Sequence, residues 1–173
     1  MDPRYPIGKF SFPENISAAD REQWIADIAA TPANLRAAIA GLSPQQLDTP
    51  YRDGGWTLRQ VIHHVPESHM NAYIRFKLAL TENEPTIKPY NEAAWAKLPD
   101  IHDTPIETSL TILDALHDRW VRVLRRIEGG QWQRTFRHPE IGVVKLEGNL
   151  ALYSWHGKHH TAHITSLRER MRW

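Results

Sequence analysis

Histidine is the residue of this sequence best suited to do chemistry, and it is concentrated. Six of the ten histidines fall in two short clusters, His63 and His64 within Val61–Val65, and His156, His159, His160 and His163 within Trp155–Ile164, with His69 close by. Neutral imidazole is the commonest protein ligand for zinc and also suits nickel and copper. Two ligands on one helix share a face only when they lie three or four residues apart. His156 and His160 meet that condition; His163 lies on the same side, and His159 is expected to point well away. In the earlier cluster His64 lies at the edge of an apolar stripe, His63 points largely outward, and His69 lies nearer the stripe's centre. Periodicity therefore does not choose between His64 and His69. A pair on one helix and a third imidazole on another give three protein ligands and leave a position for water or substrate, the pattern of a catalytic zinc site rather than a closed one. A lone core-facing histidine is more often a hydrogen-bonded packing residue. The i,i+4 pair is what raises the metal reading beside that one.

The elements that must position these groups read as long helices joined by proline-rich connections. A first helix starts at Ser17, with Asp20 near its positive end. Trp24, Ile28, Leu35 and Ile39 fall at helical spacing, and Thr31–Pro32 predicts a kink or brief break. Ser43–Pro44 starts a further turn. The second helix has the clearest start: Thr57 caps it, Gln60 completes a capping box, and Trp56 and Val61 stand as a hydrophobic staple. It should run to about Leu80, broken locally at Pro66. A long connection, Thr81 to about Asp103, contains Pro85, Pro89 and Pro99, and suits a crossover joining two helices that point the same way. The third helix is expected at Thr104–Pro105, with Glu107 completing a second capping box, and Gly129–Gly130 ends it. Thr135–Leu146 reads as a small hairpin, and a last helix starts between Glu147 and Asn149. The fold class expected is all-α, a four-helix bundle formed by residues 1–173 as a single domain.

The function classes excluded are several. With no cysteine, disulfides, thiolate ligands and cysteine nucleophiles are gone. A formal charge of +1, with the signs mixed apart from Arg168, Arg170 and Arg172 near the C-terminus, lacks the basic stripe of a nucleic-acid binder. No segment approaches the ~18 apolar residues of a membrane span. The opening residues, with two prolines among the first six, do not read as a secretory signal. A cytoplasmic protein with no nucleic-acid or membrane partner is expected.

Four segments carry a resemblance: YPIG at Tyr5–Gly8, TPYRDGGWT at Thr49–Thr57, RQVIHHVPESHMNAYIRFKLALTE at Arg59–Glu82, and WHGKHHTAHIT at Trp155–Thr165. A bare HxxxH says little, but the long DGGWT…HH segment together with WHxxHHxAH is specific. The chain resembles the DinB/YfiT-like family of metal-binding helical bundles, and within it the YfiT-type metal-dependent hydrolases. The resemblance implies an up-down-down-up bundle, often a homodimer, and one divalent ion per chain, zinc or else nickel, held by the second histidine of HH and the two of HxxxH. Those are His64, His156 and His160. Pro66, two residues after His64, is where relatives can carry an ordinary helix former.

An open zinc site can ready water as a nucleophile at neutral pH, which is the hydrolase expectation. It needs a proton acceptor; Glu67, one turn from His64, is a candidate, although a solvated surface carboxylate is the commoner case. His117 faces the core from the third helix and is a candidate to orient a ligand. Relatives that resemble S-transferases using thiols such as bacillithiol suggest a second reaction, in which the metal binds a small thiol as thiolate. Arg52, Arg59 and Arg75 are candidates for the acidic parts of such a thiol. A non-catalytic metal-binding bundle, its site closed by His163 or His69, is the third reading.

Overall fold

A computed structural model describes residues 2–173. Four long helices dominate it: α1 (Ala18–Ile39), α3 (Leu58–Thr81), α6 (Ile106–Leu124) and α7 (Leu146–Met171). Short helices α2 (Pro44–Leu47), α4 (Glu92–Trp95) and α5 (Asp100–Asp103) lie in the connections. A 3-10 turn at Gly129–Gln133 leads into an antiparallel hairpin, β1 (Thr135–His138) paired with β2 (Gly142–Lys145), where Gly142 takes a positive φ of 81°.

Local chemistry explains the helix starts. Ser17 with Asp20, Ser43 with Gln46 and Thr57 with Gln60 each form a reciprocal capping box, satisfying backbone N–H groups that the first turn would leave bare. Thr104 and Glu107 do not. Helix α6 starts at Ile106 after Pro105 with no side-chain cap, and Glu107 instead pairs with Arg36 of α1 at 2.9 Å. The expected break at Thr31–Pro32 is absent, and Pro66 likewise lies inside an uninterrupted α3. The third helix ends at Leu124, ahead of Gly129, and the last begins at Leu146, just before the expected start.

Two buried apolar clusters reveal the helix directions. One holds Ile25 and Ile28 of α1, Ala72, Phe76 and Ala79 of α3, Trp120 and Leu124 of α6, and Leu146, Leu150 and Tyr153 of α7. The other holds Leu35 and Ile39, Leu58, Val61, Ile62 and Val65, Leu110 and Leu113, and Ile164 and Leu167. Thus α1 and α7 run from the first cluster to the second, while α3 and α6 run back, an up-down-down-up bundle. Full burial of a residue such as Phe76 contributes about 1.5–3 kcal/mol. Between the two clusters the interior turns polar, and the histidines occupy that layer.

The α3–α6 connection spans the bundle as the parallel helices require, but it is not bare. Its Ile87 N–H donates to the Arg137 carbonyl of β1 (3.0 Å), and Gln60 of α3 donates to the Ala96 carbonyl (2.7 Å). Helices α1 and α7 approach closely at Gly157, where an added Cβ would stand 2.6 Å from Thr31 Oγ1.

Candidate metal centre

Helix α3 contributes His64 and helix α7 contributes His156 and His160, one turn apart. One ring nitrogen from each of the three lies within 4.8 Å of the others. The Nε2 atoms of His64 and His156 are 3.4 Å apart, the separation of about 3.4 Å expected for two nitrogens each ~2.0–2.1 Å from one tetrahedral zinc. Burial lowers the pKa of His64 to about 4. For His156 and His160, burial and then the neighbouring imidazoles hold the rings well below the usual histidine range. All three are neutral at pH 7, the state a metal ligand needs. The donor set therefore fits a divalent ion of the zinc type.

Behind His156 runs a chain of hydrogen bonds. His156 Nδ1 lies 3.0 Å from His69 Nε2, His69 Nδ1 lies 2.8 Å from His117 Nε2, and His117 Nδ1 lies 2.6 Å from the Ile28 carbonyl. A carbonyl can only accept, so His117 carries its proton on Nδ1 and accepts at Nε2. His69 must then donate from Nδ1 and accept at Nε2, and His156 must donate from Nδ1. One assignment satisfies every contact, and it leaves the His156 Nε2 lone pair facing His64. The acceptor at the end of the chain has a local cause. Ile28 is four residues before Pro32, which has no N–H to occupy that carbonyl. The proline that predicts a break in α1 instead frees the oxygen on which the imidazole chain terminates.

The opposite side is less satisfied. Nδ1 of His64, His159, His160 and His163 is buried without a hydrogen-bond partner. His159 and His63, expected to face away from the core, are both buried. His63 Nδ1 sits 2.7 Å from Ser109 Oγ of α6, and His159 stacks on Trp155 with ring centroids 4.2 Å apart. The N-terminal segment supplies the cover that periodicity could not foresee: Tyr5 lies 6.3 Å from the His159 ring, Phe10 5.8 Å from that of Trp155, and the Arg4 carbonyl 3.3 Å from His163 Nε2.

Two cavities meet at His156. One, of about 380 Å³, is lined by the three imidazoles together with Arg52, Trp56 and Glu92. The other, of about 650 Å³, is lined by Ser68, Arg75, Tyr90, Glu92, Tyr153 and His156. Ser68 Oγ stands 3.4 Å from both His156 Nε2 and the Tyr153 hydroxyl. Burial pushes the Tyr90 and Tyr153 phenols above their ordinary pKa, so both stay protonated. Glu67 lines neither cavity. It sits with His63, Asp100 and Ser109 in a separate recess, where burial and then Asp100 raise its pKa. Arg59 pairs with Asp48 at 2.7 Å. Sequence reasoning passed over Ser68, Tyr90, Glu92 and Tyr153. Tyr153 stands one turn before His156 and Ser68 one turn after His64, which is a usable signal, whereas Tyr90 and Glu92 arrive on the long connection.

Comparison with known proteins agrees with this architecture. The model of the DinB superfamily matches residues 19–164. Proteins of Bacillus mycoides (strain KBAB4) and Bacillus cereus (strain B4264), each named "Putative metal-dependent hydrolase", are 56% identical over 172 residues, covering 99% of both chains. The solved structure of YfiT from Bacillus subtilis, described as "a probable metal-dependent hydrolase with an unusual four-helix bundle topology", superposes with a TM-score of 0.97 at 48% identity, over 100% of this chain and 99% of that one. TT2238, a four-helix bundle protein, shares the fold at a TM-score of 0.58 and 19% identity, over 88% of this chain and 99% of its own. The chain belongs to the DinB superfamily.

Proposed function

We propose that this protein is a metal-dependent hydrolase of small molecules, in which His64, His156 and His160 hold one divalent ion, zinc in preference to nickel. The observation that carries the reading is the convergence of three neutral imidazole nitrogens from two helices within 4.8 Å. The names borne by the Bacillus relatives support it. A divalent ion held by three imidazoles supplies Lewis acidity, enough to ready water as a nucleophile near neutral pH.

The chain's own residues do the rest. His69 and His117 hold the His156 ring with its Nε2 lone pair presented. The Ser68 hydroxyl, 3.4 Å from that nitrogen, and the Tyr153 hydroxyl, 3.4 Å from Ser68, are placed to donate to a polarised oxygen of the substrate. Glu92, at the wall shared by both cavities, is the carboxylate positioned to accept a proton, a role the placement of Glu67 does not suit. Cavities of about 380 and 650 Å³ are of the size that encloses a small molecule.

Thiol transfer is the second reading, and a specific observation favours it: cations line both cavities, Arg52 one and Arg75 the other, as an acidic small thiol would need. The deciding experiment is turnover of a panel of activated esters, amides and alkyl electrophiles by zinc-loaded protein, with and without a low-molecular-weight thiol. Ester or amide hydrolysis in the absence of thiol is expected; turnover only in its presence would replace hydrolysis by transfer.

A further inference from the structure

Arginine is almost never fully buried without a partner, because its charge cannot be neutralised by losing a proton. Arg75 of α3 is 9% exposed. No ion pair among the described residues involves it. The hydrogen bonds on the same cavity wall, between Ser68 and Tyr153 and between Ser68 and His156, do not include it. It lines the cavity of about 650 Å³ whose wall also contains the candidate ligand His156. Burial together with the Arg75 charge lowers the pKa of His138 on the same wall, so that imidazole is neutral and offers no second cation at pH 7.

We propose that Arg75 is the binding group for a carboxylate carried by the substrate, which lies in the larger cavity with its reacting end at the metal centre and its anionic end on the guanidinium. This inference rests on the metal-dependent function proposed above and names the class of molecule it acts on. Several features of the cavity select a carboxylate. The guanidinium is a planar fork that matches two carboxylate oxygens. The Tyr90 and Tyr153 phenols, kept protonated by burial, add neutral donors that suit an anion. Glu92 and Glu140 lie on the same cavity's lining, so a single cation faces two carboxylates and a dianionic phosphate would meet more repulsion than attraction. Arg59, the other arginine of α3, lines neither cavity and is paired with Asp48.

The test uses zinc-loaded protein and ω-mercaptocarboxylic acids of three to six carbons, each compared with its own amide, by calorimetric titration. The thiol anchors both probes at the metal, and the pair differs only in charge at the far end. At the best chain length the acid should bind at least tenfold more tightly than the amide. That preference should fall below twofold in Arg75→Met, survive in part in Arg75→Lys, and be unchanged in Arg59→Met. An acid preference that persists in Arg75→Met, or is missing from the unmodified protein while the amide still binds, would overturn the role of Arg75 alone. Failure of acid and amide alike to bind would overturn the metal-centred function and this inference with it.

Discussion

The two sides of His156 are built from the same residue type and differ in how completely they are satisfied. On one side, His69, His117 and the Ile28 carbonyl form an unbroken donor–acceptor chain with a single consistent protonation pattern. On the other, His64, His159, His160 and His163 each keep a buried Nδ1 with no partner. Buried polar networks rigidify when complete and are costly when incomplete. The completed side is therefore a scaffold. The incomplete side carries two of the three candidate ligands, His64 and His160, whose rings an ion held beside His64 Nε2 and His156 Nε2 would fix in place.

The largest effect expected comes from loading the metal site that borders both sides. Zinc at a thousandfold excess over its dissociation constant should raise unfolding stability by about 4 kcal/mol, read as a shift in the urea midpoint. His160→Ala should abolish that gain and take metal content from about one ion per chain to below a tenth. A comparable gain retained in the variant would remove His160 from the ligand set.

Acid is the next probe, and it acts on both sides, because burial lowers His64, His159 and His163 to about 4 as well. In the metal-free protein burial lowers His117 to about 4, against an ordinary 6.5. The unfolded chain therefore takes up its proton first. His117's contribution is whole above pH 6.5, declines as pH falls toward 4, and amounts to about 3 kcal/mol in total. Urea titrations of the metal-free protein at pH 7, 6, 5 and 4 should show a decline that is smaller by about this amount in His117→Leu, and equal declines in the two proteins would contradict it.

Breaking the completed side should cost a comparable amount. His117→Leu leaves His69 without an acceptor and the Ile28 carbonyl without a donor, each a loss of about 1–3 kcal/mol if no water replaces it. It should also weaken zinc binding about 10- to 100-fold. Nitrogen-15 shifts of the metal-free protein should show His156 protonated on Nδ1, and a mixture of both forms in the variant. A single Nε2-protonated form in the unmodified protein would refute the chain. The smallest effect belongs to His163→Phe, which keeps the stack on Tyr51 (4.0 Å between centroids) and loses one long contact to the Arg4 carbonyl. Stability should change by less than about 1 kcal/mol and zinc affinity by less than threefold.

Much of the frame was legible from the residues. Thr57 with Gln60 and Ser43 with Pro44 announced their helices because capping is a local matter of three or four residues. His156 and His160 could be paired by spacing, whereas selecting His64 over His69 needed the family resemblance, since both lie on the inward side of α3. What stayed hidden depends on contacts distant in sequence. His69 meets His117 only through the register of α6 against α3, and His63 is buried because Ser109 of α6 covers it. Glu107 fails to cap α6 because that helix begins one residue later than the capping pattern implies, leaving the carboxylate to Arg36.

Gly157 shows how an absence of atoms sets a dimension. A methyl group there would press into Thr31, so any larger residue would push α7 outward from α1. His156 precedes it and His160 is three residues further on, both carried rigidly by the same helix. The distance from His64 to this pair is thus held at a seam on the neighbouring face of α7, and a single carbon atom added at that seam would shift both ligands together.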